Sequence, residues 1–518
     1  MGKKRQCEGI QHVKYNQYAA TNKSVSLLGF GSIRFSQNDI VDDDGLWRCA
    51  MLVRYANRCG INFFDVAPTY ANNKAHTIFS YAFHEMENDF YISDKSSMIY
   101  DKTADDVYRR IINSITIMRV PKIHFFNMWS IMNIEHYKKI MEKDGPYEGA
   151  LRAKREGLID HIVCSTHASV TDNLKIIEDG FFEGITISLN VMTYTSQQPV
   201  IELAAEKGMA VVSMNPLGGG VISSNPEFFK FLICDNDSST ASEALRYVAS
   251  IPGVTTVLSG MSSKQEVDEN VESLLDETRY SNRYKNVNKI MQTGSMQICT
   301  GCNYCNDCPV GIPISAYMKS YNCVFFPEVE YMGQKVKYDD KEQNDCYKVF
   351  SHLKLNYDII PFSSDNECIH CGLCEEKCTQ KLPIMTRLSE IMELSNKFEY
   401  NVQCFFLRVS KIVEDSETKQ IGFYPAGEYS SSLYDLCRPL FNEKGVALHI
   451  YDKDPDKWYK QFFDLTIQPP DKIRDTVDTV IITSYQYKNE IYDELKHYED
   501  DGILIRKLHK DTDIRWFY

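Results

Sequence analysis

Along the first 275 residues, short apolar runs alternate with longer stretches in which apolar side chains recur every three or four positions. The short runs are VSLLG (25–29), INFF (61–64), FYIS (90–93), IHFF (123–126), HIVC (161–164), ITISL (185–189), AVVSM (210–214) and TTVLS (255–259), and they predict eight strands. The stretches between them predict helices. In one, Leu46, Ala50, Val53 and Ala56 share a face and Gly60 offers a stop. Another opens with Thr103 as N-cap and Asp106 three residues on. Strands alternating with helices over such a length predict an α/β (β/α)8 TIM barrel, with a doubly wound sheet as the competing arrangement. Polar residues favour the barrel, because chemistry there gathers at the C-terminal strand ends. Asp65 and Tyr70 follow the second strand, Lys95 ends the third and Trp129 the fourth. Ser165 and His167 end the fifth, Asn190 the sixth and Asn215 the seventh, and GMSSKQEVDEN follows the eighth.

Past residue 400 the pattern changes. CFFLRVS, QIGFYP, VALHIYD, DTVIITS and GILIRKL predict strands, while SSSLYDLCRPLFNEKG and YKNEIYDELKHYEDDG predict helices. The expected organisation is a barrel over 1–280, a ferredoxin-like α+β cysteine module with an insertion over 281–398, and a small Rossmann-like α/β domain over 399–518. GFYPAGEYSSS stands where G-x-G-x-x-G would open a dinucleotide site, so that use of the last domain is not expected. Docking or dimerisation, and hence a homo-oligomer, is the simpler reading.

Composition narrows the partners. The 518 residues are 43% hydrophobic and 25% charged, as in globular proteins, and the net charge is −14. That balance argues against nucleic acid or an anionic membrane as partner. No apolar run is long enough for a membrane span. The opening MGKKRQCEG has no secretory apolar core, and Gln6 stands where the acylation pattern wants Ser or Thr. The odd total of 17 cysteines fits reduced thiols and a cytoplasmic location better than a disulfide framework.

Eight cysteines fall in two runs, CTGCNYCNDCP and CIHCGLCEEKC. Zinc needs four thiolates per ion from two separated knuckles, whereas each run here carries four. The second run has the C-x2-C-x2-C-x3-C ferredoxin spacing and the first is one residue short of it. In two-cluster ferredoxins the fourth cysteine crosses over. Cys299, Cys302, Cys305 and Cys378 are therefore assigned to one [4Fe-4S] cluster, and Cys368, Cys371, Cys374 and Cys308 to the other. Thr379 replaces the usual proline, and the insert between the runs reads as a surface excursion. The clusters either transfer electrons or only staple the module.

GFGSIRF, GINFFDVAPTY, YISDK, REGLIDHIVCSTH, VVSMNPLGGG and VLSGMSSKQEVDEN, in that order, resemble the aldo-keto reductases. The cysteine runs resemble the ferredoxin-type tail of that family's iron-sulfur subgroup. The last domain vaguely resembles the small sugar-nucleotide-associated domains of surface-polysaccharide enzymes. The resemblance implies a catalytic set of Asp65, Tyr70 and Lys95, with Tyr70 as proton donor. Trp129 stands where the family has histidine, and His167 is the candidate substitute. It implies NAD(P) held by Gly31 and Ser32, by Ser165 at the carboxamide with Asn190 near it, by Asn215, and by Gly260, Ser262, Ser263, Gln265 and Asn270 along the phosphate and adenosine loop. Thr166 and Thr186 depart from the usual Asn and Gln. The implied function is oxidoreduction of a small carbonyl or alcohol, with a sugar or sugar nucleotide among the candidates. Electrons would come from NAD(P)H, the clusters, or a ferredoxin or flavoprotein donor. The alternative is a non-catalytic electron carrier or scaffold with a degenerate barrel, which Trp129 favours.

Overall fold

In the computed structural model the eight apolar runs form eight strands: β1 (Leu28–Gly31), β2 (Phe63–Asp65), β3 (Tyr91–Lys95), β4 (Ile123–Ile131), β5 (Ile159–Thr166), β6 (Gly184–Ser188), β7 (Ala210–Met214) and β8 (Val254–Gly260). They pair in parallel and close on themselves, β8 against β1 and β7. The doubly wound alternative is thereby excluded. The structure describes residues 13–36, 38–96, 99–233, 238–275, 297–325, 368–415, 419–484 and 487–509, with short pieces between 284 and 359. The N-terminal Met-Gly, Gln6 and most of the insert between the cysteine runs lie outside the described residues.

The run VSLLG divides in two. Ser24–Ser26 pairs antiparallel with Tyr15–Gln17, and only Leu28–Gly31 enters the barrel. This hairpin closes one end. Tyr18 is buried against Phe63, Phe125, Val163, Ala210 and Val212, which lie toward the strand starts, and its ring centroid is 4.1 Å from that of Phe125. Chemistry is left to the opposite end, where the strands finish.

Local rules seat the helices. Asp42 accepts from the Gly45 N–H and starts Asp43–Arg58, which buries Leu46, Ala50, Val53 and Ala56. The chain leaves that helix through Gly60 at φ +96°. Thr103 and Asp106 form a reciprocal capping box on Ala104–Met118.

The chain divides into two compact units, residues 1–304 with 376–382, and 305–375 with 383–518. The second contains a sheet of β9 (Gln420–Tyr424), β10 (Ala447–Tyr451), β11 (Gln461–Phe462), β12 (Leu465–Gln468), β13 (Thr479–Ile482) and β14 (Leu504–Lys507). Its order is β11-β12-β10-β9-β13-β14, parallel except for the β11–β12 pair. CFFLRVS, expected as a strand, instead lies in the long helix Ile384–Asp415. Val409 and Val413, four residues apart, both enter the core beside Phe423 and Phe441, so helical periodicity decides that segment. Position 399 falls inside the same helix. No helix among the described residues is long and apolar enough to cross a membrane.

Candidate active site

Adjacent strand ends bring the acidic and basic groups together. Asp65 closes β2 and Lys95 closes β3, and the Lys95 ammonium pairs with Asp65 Oδ1. Ser93 Oγ donates to the same oxygen at 3.0 Å, and Ser32 Oγ donates to the Asp65 carbonyl at 2.8 Å. The pair is almost closed to solvent, with side-chain exposures of 4% for Lys95 and 9% for Asp65. Lys95 Nζ lies 5.5 Å from the centroid of the Tyr70 ring. Burial first, then the charges of Asp65, Tyr304 and Asp94, push the Tyr70 hydroxyl well above its ordinary value. It is therefore a neutral donor. Ala71, Asn72 and Asn73 follow at φ +51°, +53° and +66°, a left-handed run that side chains resist.

Trp129 meets Tyr70 edge to face, with ring centroids 6.4 Å apart. His167 sits at the end of β5, its backbone N–H donating to the Ile131 carbonyl at 2.8 Å. Burial, and then the charge of Lys381, lower its pKa to about 4, so the imidazole is neutral near pH 7. Its Nδ1 has no partner among the described residues. His124, by contrast, is a strand residue whose Nδ1 accepts from the Ile92 N–H at 3.1 Å.

The implied nicotinamide residues fall on strand ends and on the loop and helix that follow β8. Ser165 is 1% exposed, and its hydroxyl finds no partner among the described residues. Asn190 is engaged, donating to the Asn215 carbonyl at 3.1 Å and accepting from the Met192 N–H at 2.9 Å. A Cβ on Gly31 would sit 3.5 Å from the Ser259 carbonyl, and one on Gly260 would strike the Arg34 side chain at 2.5 Å. Ser263 caps the helix Lys264–Ser273, and Ser262 gives both its N–H and its hydroxyl to Glu266. Gln265 bonds Glu269, and Asn270 reaches Ser259 Oγ at 3.0 Å. Thr166 does not face a cofactor in this way, because its hydroxyl bonds the Ile131 carbonyl and Asn173.

The sequence profile of the aldo/keto reductase family matches residues 27–288. The chain belongs to the aldo/keto reductase family. This reductase is an oxidoreductase, and the family match ends before the cysteine runs. It is similar to C215.11c, an uncharacterized oxidoreductase of Schizosaccharomyces pombe, at 23% identity over 266 residues, which is 48% of this chain and 81% of the relative. Among solved structures it is similar to the aldo-keto reductase AKR11C1 from Bacillus halodurans in its holo form, at 19% identity and TM-score 0.45 over 54% of this chain and 96% of the other. A second is an aldo-keto reductase from Klebsiella pneumoniae in complex with NADPH, at 13% identity and TM-score 0.44 over 54% and 95%.

Two residues close to these groups escape a reading by strand ends. Asn127 is a buried amide inside β4 that donates to Ser93 Oγ at 2.9 Å and to the Asp94 carbonyl at 3.2 Å, while its oxygen accepts from Thr186 at 3.4 Å. It extends the Lys95–Asp65–Ser93 chain across the barrel. Its only signal is a lone amide in HFFN. The other is Tyr304, inside CNYC, whose ring lies 5.4 Å from that of His167.

Seven of the eight run cysteines have placed surroundings that bear on their assignment. In the first unit, Cys302 Sγ lies 3.4 Å from Thr379 Oγ1, and Cys302 is close enough to act on the Cys378 thiol. The Gly301 N–H points to Cys299 Sγ and the Leu382 N–H to Cys378 Sγ, each at 3.4 Å. In the second unit, Cys308, Cys368, Cys371 and Cys374 line one small apolar cavity, walled by Pro309, Ile312, Ile314 and Leu388. Cys305 opens that unit and is buried. Among the described residues no three His, Cys, Asp or Glu side chains form a single-ion site.

Proposed function

We propose that this chain is an iron-sulfur carbonyl reductase that uses NAD(P)H on a small carbonyl substrate, with sugars and sugar nucleotides among the candidates. The observation that carries the reading is Lys95, locked to Asp65, beneath the neutral Tyr70. A carbonyl that accepts hydride needs a proton on its oxygen as charge develops there. The buried Tyr70 hydroxyl gives that proton. The Lys95 ammonium offsets the phenolate left behind, and Asp65, held by Ser93, keeps the ammonium in place. Trp129 supplies a wall and one indole N–H, but no proton relay near pH 7. The unpartnered Ser165 hydroxyl suits a carboxamide, and bound nicotinamide supplies the hydride.

Cys308, Cys368, Cys371 and Cys374 would hold one [4Fe-4S] cluster, because four thiols around one apolar cavity are the donor set such a cluster takes. Cys299, Cys302 and Cys378 would hold the second, with Cys305 as its fourth ligand by sequence spacing. Backbone N–H groups aimed at sulfur, as at Cys299 and Cys378, tune such centres. The clusters when bound pass single electrons, which fits a ferredoxin or flavoprotein as a further donor.

The test is anaerobic purification, iron and sulfide counts, and NADPH oxidation with para-nitrobenzaldehyde. Tyr70→Phe lowers kcat roughly 10²–10⁴-fold while NADPH binding, read by fluorescence, is kept. Turnover untouched by Tyr70→Phe rejects the reductase reading. A wild type that carries iron and sulfide yet reduces no carbonyl points instead to an electron carrier with a degenerate barrel, the role that Trp129 favours.

A further inference from the structure

The barrel mouth is not open above Tyr70. Two short segments that carry cysteines, 299–304 and 376–382, belong to the same compact unit as the barrel. They meet it at several strand-end loops. The Thr300 carbonyl packs so tightly on Gly219, after β7, that a Cβ there would sit 2.1 Å from it. Gly219 is at φ +71°, and its own carbonyl accepts from Arg34 at 3.0 Å, so the loop is fixed from both sides. Asn133, after β4, donates to Glu376 at 3.5 Å. The Tyr304 ring lies 5.4 Å from His167, after β5, and Lys381 acts on the same imidazole. Tyr304 is also close enough to Tyr70 to act on its hydroxyl, after burial and Asp65. Under this strap two buried polar atoms, Thr300 Oγ1 and His167 Nδ1, have no partner among the described residues, which leaves them for a ligand.

We propose that Tyr304, carried on the first cysteine run, is a substrate-positioning residue of the reductase site, forming with Trp129 and His167 an aromatic cover over Tyr70. The inference rests on the reductase reading for its kinetics and on geometry alone for the cover. The Tyr304 ring is tilted against His167 and Trp129 meets Tyr70 edge to face, so aromatic side chains flank the site. Such side chains hold a flat carbonyl group through their faces and keep water off the reacting oxygen. The missing family histidine is thus replaced by a cover from outside the barrel, which a strand-by-strand comparison does not reveal. No proton is assigned to Tyr304. Its contribution is contact area.

The test uses the full chain, purified anaerobically, with NADPH and para-nitrobenzaldehyde. Tyr304→Ala raises KM for the aldehyde roughly tenfold, as loss of one aromatic wall does, while Kd for NADPH and the iron count are unchanged. Tyr304→Phe, which keeps the ring, restores KM to within about twofold of wild type. Gly219→Ala, which unseats Thr300 without touching an aromatic residue, raises KM in the same direction. A Tyr304→Ala variant with unaltered KM overturns the proposal, and so does a Tyr304→Phe variant as impaired as Tyr304→Ala. If the wild type turns over no aldehyde, the reductase reading has failed and the cover is judged by amide hydrogen exchange. Residues 165–169 then exchange faster in Tyr304→Ala than in wild type, and identical exchange sinks the cover as well.

Discussion

Lys95 and Asp65 show how much depends on one buried pair. Each charge has left water, and Ser93 and the partner charge replace the lost hydration. Lys95→Met removes the cation and strands the Asp65 carboxylate. We expect a loss of about 3 kcal/mol of stability, measured by urea denaturation, in addition to lost activity. His124 makes a second prediction. Burial is the main cause holding its pKa at about 4, below the ordinary 6.5. Its Nδ1 accepts from Ile92 N–H, a bond the imidazolium cannot accept. Between those values the unfolded chain binds the proton and the folded chain does not, so stability falls as pH drops from 6.5 through 4. His124→Asn, which keeps an acceptor and cannot titrate, flattens that part of a Tm-against-pH curve.

The helices obey local rules until packing overrules them. The capping box on Ala104–Met118 satisfies two orphan N–H groups, and Thr103→Ala should cost about 1 kcal/mol by thermal denaturation. Gly149, in the helix Pro146–Arg155, looks improvable, since alanine gains about 1 kcal/mol in a free helix. Here a Cβ would sit 2.1 Å from the Ala104 carbonyl, so the two helices would have to separate. Gly149→Ala is therefore expected to destabilise by roughly 1–3 kcal/mol, because backbone overlap outweighs propensity. The same contest explains residues 404–410. Their apolar run satisfies a strand pattern locally, but Val409 and Val413 fit a core whose sheet positions are taken by β9–β14.

Across the whole molecule, the two proposed cluster sites are separable by mutation. The cavity lined by Cys308, Cys368, Cys371 and Cys374 lies within the second unit, while Cys302 and Cys378 lie in the first. Cys371→Ser should lower iron from about eight to about four atoms per chain and leave aldehyde reduction measurable, as iron assay and kinetics would show. Loss of all iron from that single change would mean that the centres assemble as one.

The sequence alone determined the eight barrel strands, their order and the places of Asp65 and Lys95 at adjacent strand ends. Short continuous apolar runs and polar strand ends are local signals that parallel strands buried on both faces of a closed barrel carry. It also grouped Cys308 with Cys368, Cys371 and Cys374, four residues that line one cavity in the second unit. Tertiary structure decided the rest. It put Trp129 against Tyr70 and drew Asn127 into the Lys95 chain. It also laid Tyr304 over His167, although 137 residues separate the two in sequence. Those contacts join residues far apart in the chain, and neither spacing nor periodicity encodes which loops meet above a barrel mouth.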